Sequence, residues 1–332
     1  MAYTTIDDPQ AYFQVYKYTG DGEGTRVITL PGDTDMSPDL VWVKDYGVTR
    51  NQQFANSVSG ANKVLLTDLP DPEDAVGGPI RGFGSDGFTI NDSANVNADG
   101  ATYISWSWLE SATAGFDIVT YTGNGTDDTD ISHSLSAVPH LMIVKNRSDS
   151  DAWRIYHHKN TSAPETDYLV LDTAAVTTDD DTAWSDEAPT SSVFTVGASD
   201  QTNESTDSMI AFLFSEKQGF SKFGAYNGNG DADGPFIYTG FRPAFLIIKR
   251  TETEGSWNVM DIKRDPHNPQ TLNVKADVNS AGETFSICDI LSNGFKIITT
   301  NGAVNNGSGN YVYIAFADQP FVNSNGVPCN AR

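Results

Sequence analysis

Short apolar stretches of about five residues, the ordinary length of a strand, alternate with polar turns along the whole chain, and the same stretches return three times. An opening phrase runs Tyr18-Thr19-Gly20-Asp21-Gly22, then Tyr121-Thr122-Gly123-Asn124-Gly125, then Tyr226-Asn227-Gly228-Asn229-Gly230, with starts 103 and 105 residues apart. Its glycines supply the positive-φ positions that a tight turn between strands requires. A second phrase is a proline-entered apolar run closed by lysine: Pro38 to Lys44, Pro139 to Lys145 and Pro243 to Lys249. This pattern predicts a central strand with a charged exit. In copies two and three a tryptophan stands eight residues past that lysine, at Trp153 and Trp257. Copy one lacks it and offers Phe54 nearby.

A third phrase, Ser85-Asp86-Gly87-Phe88, is answered by Ser292-Asn293-Gly294-Phe295, while copy two keeps only Ser192-Val193-Phe194. Each copy then closes on an aromatic stretch: Tyr103 to Trp108, Met209 to Phe214 and Tyr311 to Phe316. These closing stretches are apolar at both odd and even positions, which predicts a strand buried on both faces. No convincing amphipathic helix interrupts the series. The expected fold is all-β: three tandem antiparallel β-sandwich domains of about 100 residues. The boundaries are 1–111, 112–217 and 218–332, with linkers at Leu109–Gly115 and Ser215–Gly219. Units of that length can each hold a core, so they are expected to behave as touching beads on short linkers. The leader Met1–Gln10 and the tail Phe321–Arg332 are polar.

Charge narrows the partners. The 332 residues carry 20 basic and 44 acidic side chains, a formal net charge of −24. A phosphate backbone needs clustered Lys and Arg, so nucleic acid is not an expected partner, nor is an anionic membrane surface. No apolar run approaches the length of a membrane span and no signal peptide is visible, so no membrane insertion is expected.

Candidate chemistry is sparse. Cys288 and Cys329 form neither a disulfide framework nor a zinc pattern. Among His133, His140, His157, His158 and His267 the adjacent pair is the natural candidate for a metal. Neighbours on a strand face opposite ways, however, which argues against a shared ligand role. Glu252 and Glu254 fall in a predicted turn, Asp179-Asp180-Asp181 in a solvated loop, and no phosphate-loop, Rossmann or zincin motif is present. The chain is therefore expected not to be an enzyme and to need no cofactor. Calcium is the one reasonable ion, with oxygen ligands at Asp127, Asp128 and Asp130 or at Asn91, Asp92 and Asn95. Repeated placement assigns Trp106, Trp108, Trp153 and Trp257 to the core, whereas Trp184 sits in the acidic loop DDDTAWSDEAP. Trp184 is thus the candidate ligand or partner contact.

Taken together, the opening MAYTTIDDPQAYFQVYKYTGDG, the phrase YTGNG, the proline-to-lysine strands followed by Trp, SDGF and SNGF, and the closing YVYIAFADQPFVNSNGVPCNAR resemble a repeat of virion structural proteins of marine tailed bacteriophages. The resemblance covers nearly the whole chain. It implies jelly-roll or lectin-like sandwiches on the virion surface as a capsid decoration, knob or short fibre, assembled in the host cytoplasm. It further implies partners among capsid or tail proteins, self-association and possible attachment to a host surface glycan, with copy one as the anchor. The missing tryptophan of copy one and the degenerate third phrase of copy two depart from the pattern. A carbohydrate-binding tail fibre is the alternative that it implies.

Overall fold

The computed structural model describes residues 3–74 and 77–329; the first two residues of the leader and the last three of the tail lie outside them. The protein is all-β, with antiparallel pairing throughout its named strands. In the first copy the opening strand Phe13–Thr19 pairs with the closing strand Thr102–Trp108. That strand pairs in turn with the lysine strand Leu40–Asp45, which pairs with Gln53–Asn56. The second copy repeats this order with Phe116–Thr122, Ser208–Phe214, Leu141–Asn146 and Arg154–His157. The third repeats it with Ser221–Asn227, Asn310–Pro320, Phe241–Arg250 and Asn258–Asp261. The closing strand is hydrogen-bonded on both edges in every copy, and its successive residues are buried on both faces, as its two-faced apolar pattern requires. A smaller sheet lies beside each of the first two copies, Thr25–Thr29 with Gly87–Asn91 and Ile80–Gly84, and Thr129–Ser132 with Val193–Val196. In the third copy the corresponding strands join the main sheet, which runs to eight.

The opening phrase is held by an asparagine that the sequence pattern does not reveal. Before each closing strand the chain makes one helical turn, Ala94–Asn97, Asp200–Asn203 or Gly302–Asn305, and its last residue is buried. The Asn203 amide donates to Asn124 Oδ1 at 3.1 Å and to the Thr126 carbonyl at 2.8 Å, while its oxygen accepts the Asn124 N–H. Asn97 and Asn305 grip the other two turns in the same way. Glycine is needed at Gly123 because a Cβ would lie 2.1 Å from the Glu204 carbonyl oxygen. It is needed at Gly125 because φ is +66°. The phrase's tyrosine completes the lock: the hydroxyls of Tyr18, Tyr121 and Tyr226 each donate to a carbonyl of the turn, on Val96, Thr202 and Val304.

The three copies are not separate beads. One apolar cluster runs through all of them, drawing Phe13, Trp42 and Trp108 from the first, Leu141 and Phe214 from the second, and Phe245 and Phe316 from the third. Rings meet across the copies: Phe54 lies 5.0 Å from Phe212, Phe214 lies 5.7 Å from Phe316, and Phe316 lies 5.1 Å from Phe13. Each of the first two copies adds a private core between its own two sheets. Bead-like independence fails because the inner face of each main sheet is too apolar to face water. The other two main sheets are what cover it. The leader and the tail meet, with the Ser324 N–H donating to Asp7 at 2.6 Å, while the Phe321 N–H ties the start of the tail to Gly240 of its own copy at 3.2 Å.

Candidate functional site: the seams between the copies

The expected charged exit of the lysine strand is the first feature that the structure corrects. Lys44, Lys145 and Lys249 are all fully buried. Each ammonium reaches out of its own copy: Lys145 donates to the Pro70 carbonyl of copy one at 2.9 Å, Lys249 to Ala174 of copy two at 3.1 Å, and Lys44 to Asn279 of copy three at 2.8 Å. The contact therefore passes round all three copies and closes on itself, the geometry of a heterologous interface that completes a ring. Burial pulls each of the three ammonium groups down to about 8.

The tryptophan eight residues beyond the lysine follows the same route. Trp153 Nε1 donates to the Leu66 carbonyl of copy one at 3.0 Å, and Trp257 Nε1 to Val170 of copy two at 2.8 Å. In copy one the position is Gln52, whose amide donates to the Lys275, Ala276 and Val278 carbonyls of copy three at 2.6, 3.0 and 3.2 Å. The hydrogen-bonding job thus survives the loss of the indole. The apolar bulk is supplied two strand positions before Lys44, by Trp42, whose Nε1 donates to Gln52 Oε1 at 3.0 Å.

The receiving loops are built alike. An aspartate of each copy accepts the backbone N–H of that tryptophan or glutamine: Asp68 from Gln52, Asp172 from Trp153 and Asp277 from Trp257. In every copy the carbonyl two residues before the aspartate receives the neighbour's tryptophan or glutamine and the carbonyl two residues after it receives the neighbour's lysine. Burial raises all three carboxyls, Asp68 to about 6. A backbone bond adds to each seam, from Glu73 N–H to Arg147, from Thr177 to Thr251 and from Gly282 to Tyr46. A bidentate Arg147–Glu73 pair at 2.7 and 3.2 Å strengthens only one of them.

The seams differ most where one closing strand hands over to the next opening strand. At the first handover Glu110 lies beside the buried Asp117, and burial followed by that second carboxyl pushes Glu110 up to about 7. At the second, the equivalent Glu216 meets Lys222 at 3.0 Å and accepts the Phe223 N–H at 2.9 Å. Burial alone would raise Glu216, but its bonds to His158, Phe223 and Lys222 outweigh burial and hold it at about 2. The two adjacent histidines lie on this seam. His157 is buried with Nε2 3.2 Å from the Tyr313 carbonyl, and burial pulls it down to about 3, while His158 Nε2 is 2.6 Å from the Phe223 carbonyl. Both rings therefore join copy two to copy three.

The remaining candidates fall elsewhere. Trp184 is 0 % exposed, with Nε1 donating to the Asp167 carbonyl at 3.1 Å and its ring against Tyr156. It therefore offers no face to a ligand. The acidic run is the cause: the Asp180 carboxylate caps a single helical turn, Asp181–Trp184, and that turn swings the indole inward into the private core of copy two. Asp127 accepts from Ser185 and Asp130 from Thr195, and Glu252 is taken up by Arg250 and the Asn310 N–H. Among the described residues no group of three or more His, Cys, Asp or Glu side chains is placed to hold a metal ion. Cys288 is buried and Cys329 exposed, neither in a disulfide.

Two measurements check the seam chemistry. Lys145→Met removes the donor that the Pro70, Asn146 and Asp149 carbonyls share, and denaturant unfolding of the variant should show a loss of about 1–3 kcal/mol. Glu110 carries a folded value above its unfolded one, so the folded chain binds the extra proton and stability falls as pH climbs from 4.5 to about 7. The melting temperature of Glu110→Gln relative to the unaltered chain should therefore be higher at pH 8 than at pH 5.

A search of curated proteins finds no match. The family model described as a domain of unknown function, DUF7483, matches residues 8–320 and so takes in all three copies and every seam. The chain belongs to the DUF7483 family.

Proposed function

We propose that the chain is a non-enzymatic structural protein of a bacteriophage virion, made of three β-sandwich units and displayed on the particle surface as a capsid decoration, knob or short fibre. The observation that carries this reading is the lysine ring, in which three diverged copies within one chain occupy the places that three subunits would take in a trimer. Such a body joins three sheets around one core without any assembly step of its own. That suits a part which must present lobes outward from a fixed seat. The resemblance of the repeated phrases to virion proteins supports the same reading, and the net charge of −24 keeps many copies soluble at high local density. Its partners would be capsid or tail proteins, and display in many copies would multiply weak contacts to a host surface.

Mass spectrometry of purified particles, followed by reconstruction of the particle, tests this directly. The expected outcome is the chain present at a fixed stoichiometry with its three lobes resolved on the exterior. Absence of the chain from particles that are otherwise complete would overturn the reading.

A further inference from the structure

The seam between copies two and three opens into a cleft of about 500 Å³ that includes Tyr3, His140, Glu216, Gln218, Lys222 and Tyr238 in its lining. Its size is that of a small-ligand site. Its charges are already matched: Glu216 and Lys222 form an ion pair at 3.0 Å, and His140 Nδ1 accepts the Glu216 N–H at 3.1 Å. Burial and the neighbouring His158 hold His140 below its ordinary value, so the imidazole is neutral at neutral pH. A small anion gains little from such a lining and meets a chain of net charge −24 on approach. The Tyr3 hydroxyl donates to the Gly240 carbonyl at 2.9 Å and lies 2.9 Å from the Tyr238 hydroxyl, so a neutral ligand would be met by the remaining hydrogen-bonding capacity of the Tyr238 hydroxyl and of the Gln218 amide beside it. Tyr238 is 52 % exposed, which leaves apolar ring surface beside those polar groups.

Two residues of the cleft have no counterpart of the same kind in the other copies. The strand register puts Thr29 in copy one and Ser132 in copy two where copy three has Tyr238. It likewise puts Gln14 and Asp117 where copy three has Lys222. Apolar ring surface combined with a neutral set of hydroxyl and amide partners is the chemistry that recognises a sugar ring. We propose that this cleft binds a neutral saccharide of one or two rings, an inference that rests on the surface-display reading above and names what the displayed face would hold.

Saturation-transfer NMR on the full chain, with the methyl glycosides of glucose, galactose, mannose and N-acetylglucosamine at millimolar concentration, tests the site. The expected result is transfer to at least one sugar, weakened about tenfold in Tyr238→Ala, the upper scale of one aromatic contact. Gln218→Ala should weaken it as well, and Val27→Ala, at an exposed position of copy one, should leave it unchanged. No transfer to any of the four sugars, or transfer that both cleft variants leave intact, overturns the site. Presence of the chain in particles with all four sugars silent removes the saccharide and keeps the structural role. Binding that the cleft variants abolish, by a chain absent from particles, does the reverse.

Discussion

An ammonium group taken out of water has to find oxygen partners, because an unpaired charge in a dry interior costs far more than any packing gain returns. Three such groups sit in this protein, and none can be satisfied by its own copy alone. Lys44, Lys145 and Lys249 each take a carbonyl from a loop of the neighbouring copy, always the carbonyl two residues past a buried aspartate. The rest of the arrangement follows from that requirement. Loops must be held in one shape to present those carbonyls, and the aspartates do so. Sheets must be brought to a fixed distance, and Trp153, Trp257 and Gln52 set it. Once three such contacts exist they close on themselves, and the apolar faces of the three sheets are sealed into one core.

Copy one shows which parts of this arrangement tolerate exchange. An indole that both fills space and donates a hydrogen bond is split there between two residues, with Gln52 taking the polar task and Trp42 the apolar one. The buried ammonium is not split or replaced in any copy. Divergence is also allowed at the handover points, where an acid pair at the first seam stands in the place of an ion pair at the second. The second seam is the one that has acquired histidines, a lysine and two tyrosines around an open cleft.

Much of the fold was legible in the residues. The threefold repetition, the all-β character and the central place of the closing strand all follow from turn glycines and from apolar positions on both faces. The seams were not, because a lysine at the end of an apolar run reads the same whether it exits to solvent or into a neighbour. The clue lay in Asp68, Asp172 and Asp277, which recur at the repeat period but hide among 44 acidic residues. Trp184 misled for a related reason. Its acidic surroundings look solvated, yet they are the cap of a helical turn that faces inward. Tyr238 gave no signal at all, since a tyrosine in a short edge strand becomes part of a cleft only after the N-terminal Tyr3 has folded against it.

Calorimetric unfolding of the full chain tests the central claim that the three copies are one body closed by shared contacts. The account predicts a single transition in which the calorimetric enthalpy equals the van't Hoff enthalpy, because no copy can open without exposing the common core and orphaning a neighbour's lysine. Two or three resolved transitions, each assignable to one copy, would contradict it and return the protein to a string of independent sandwiches.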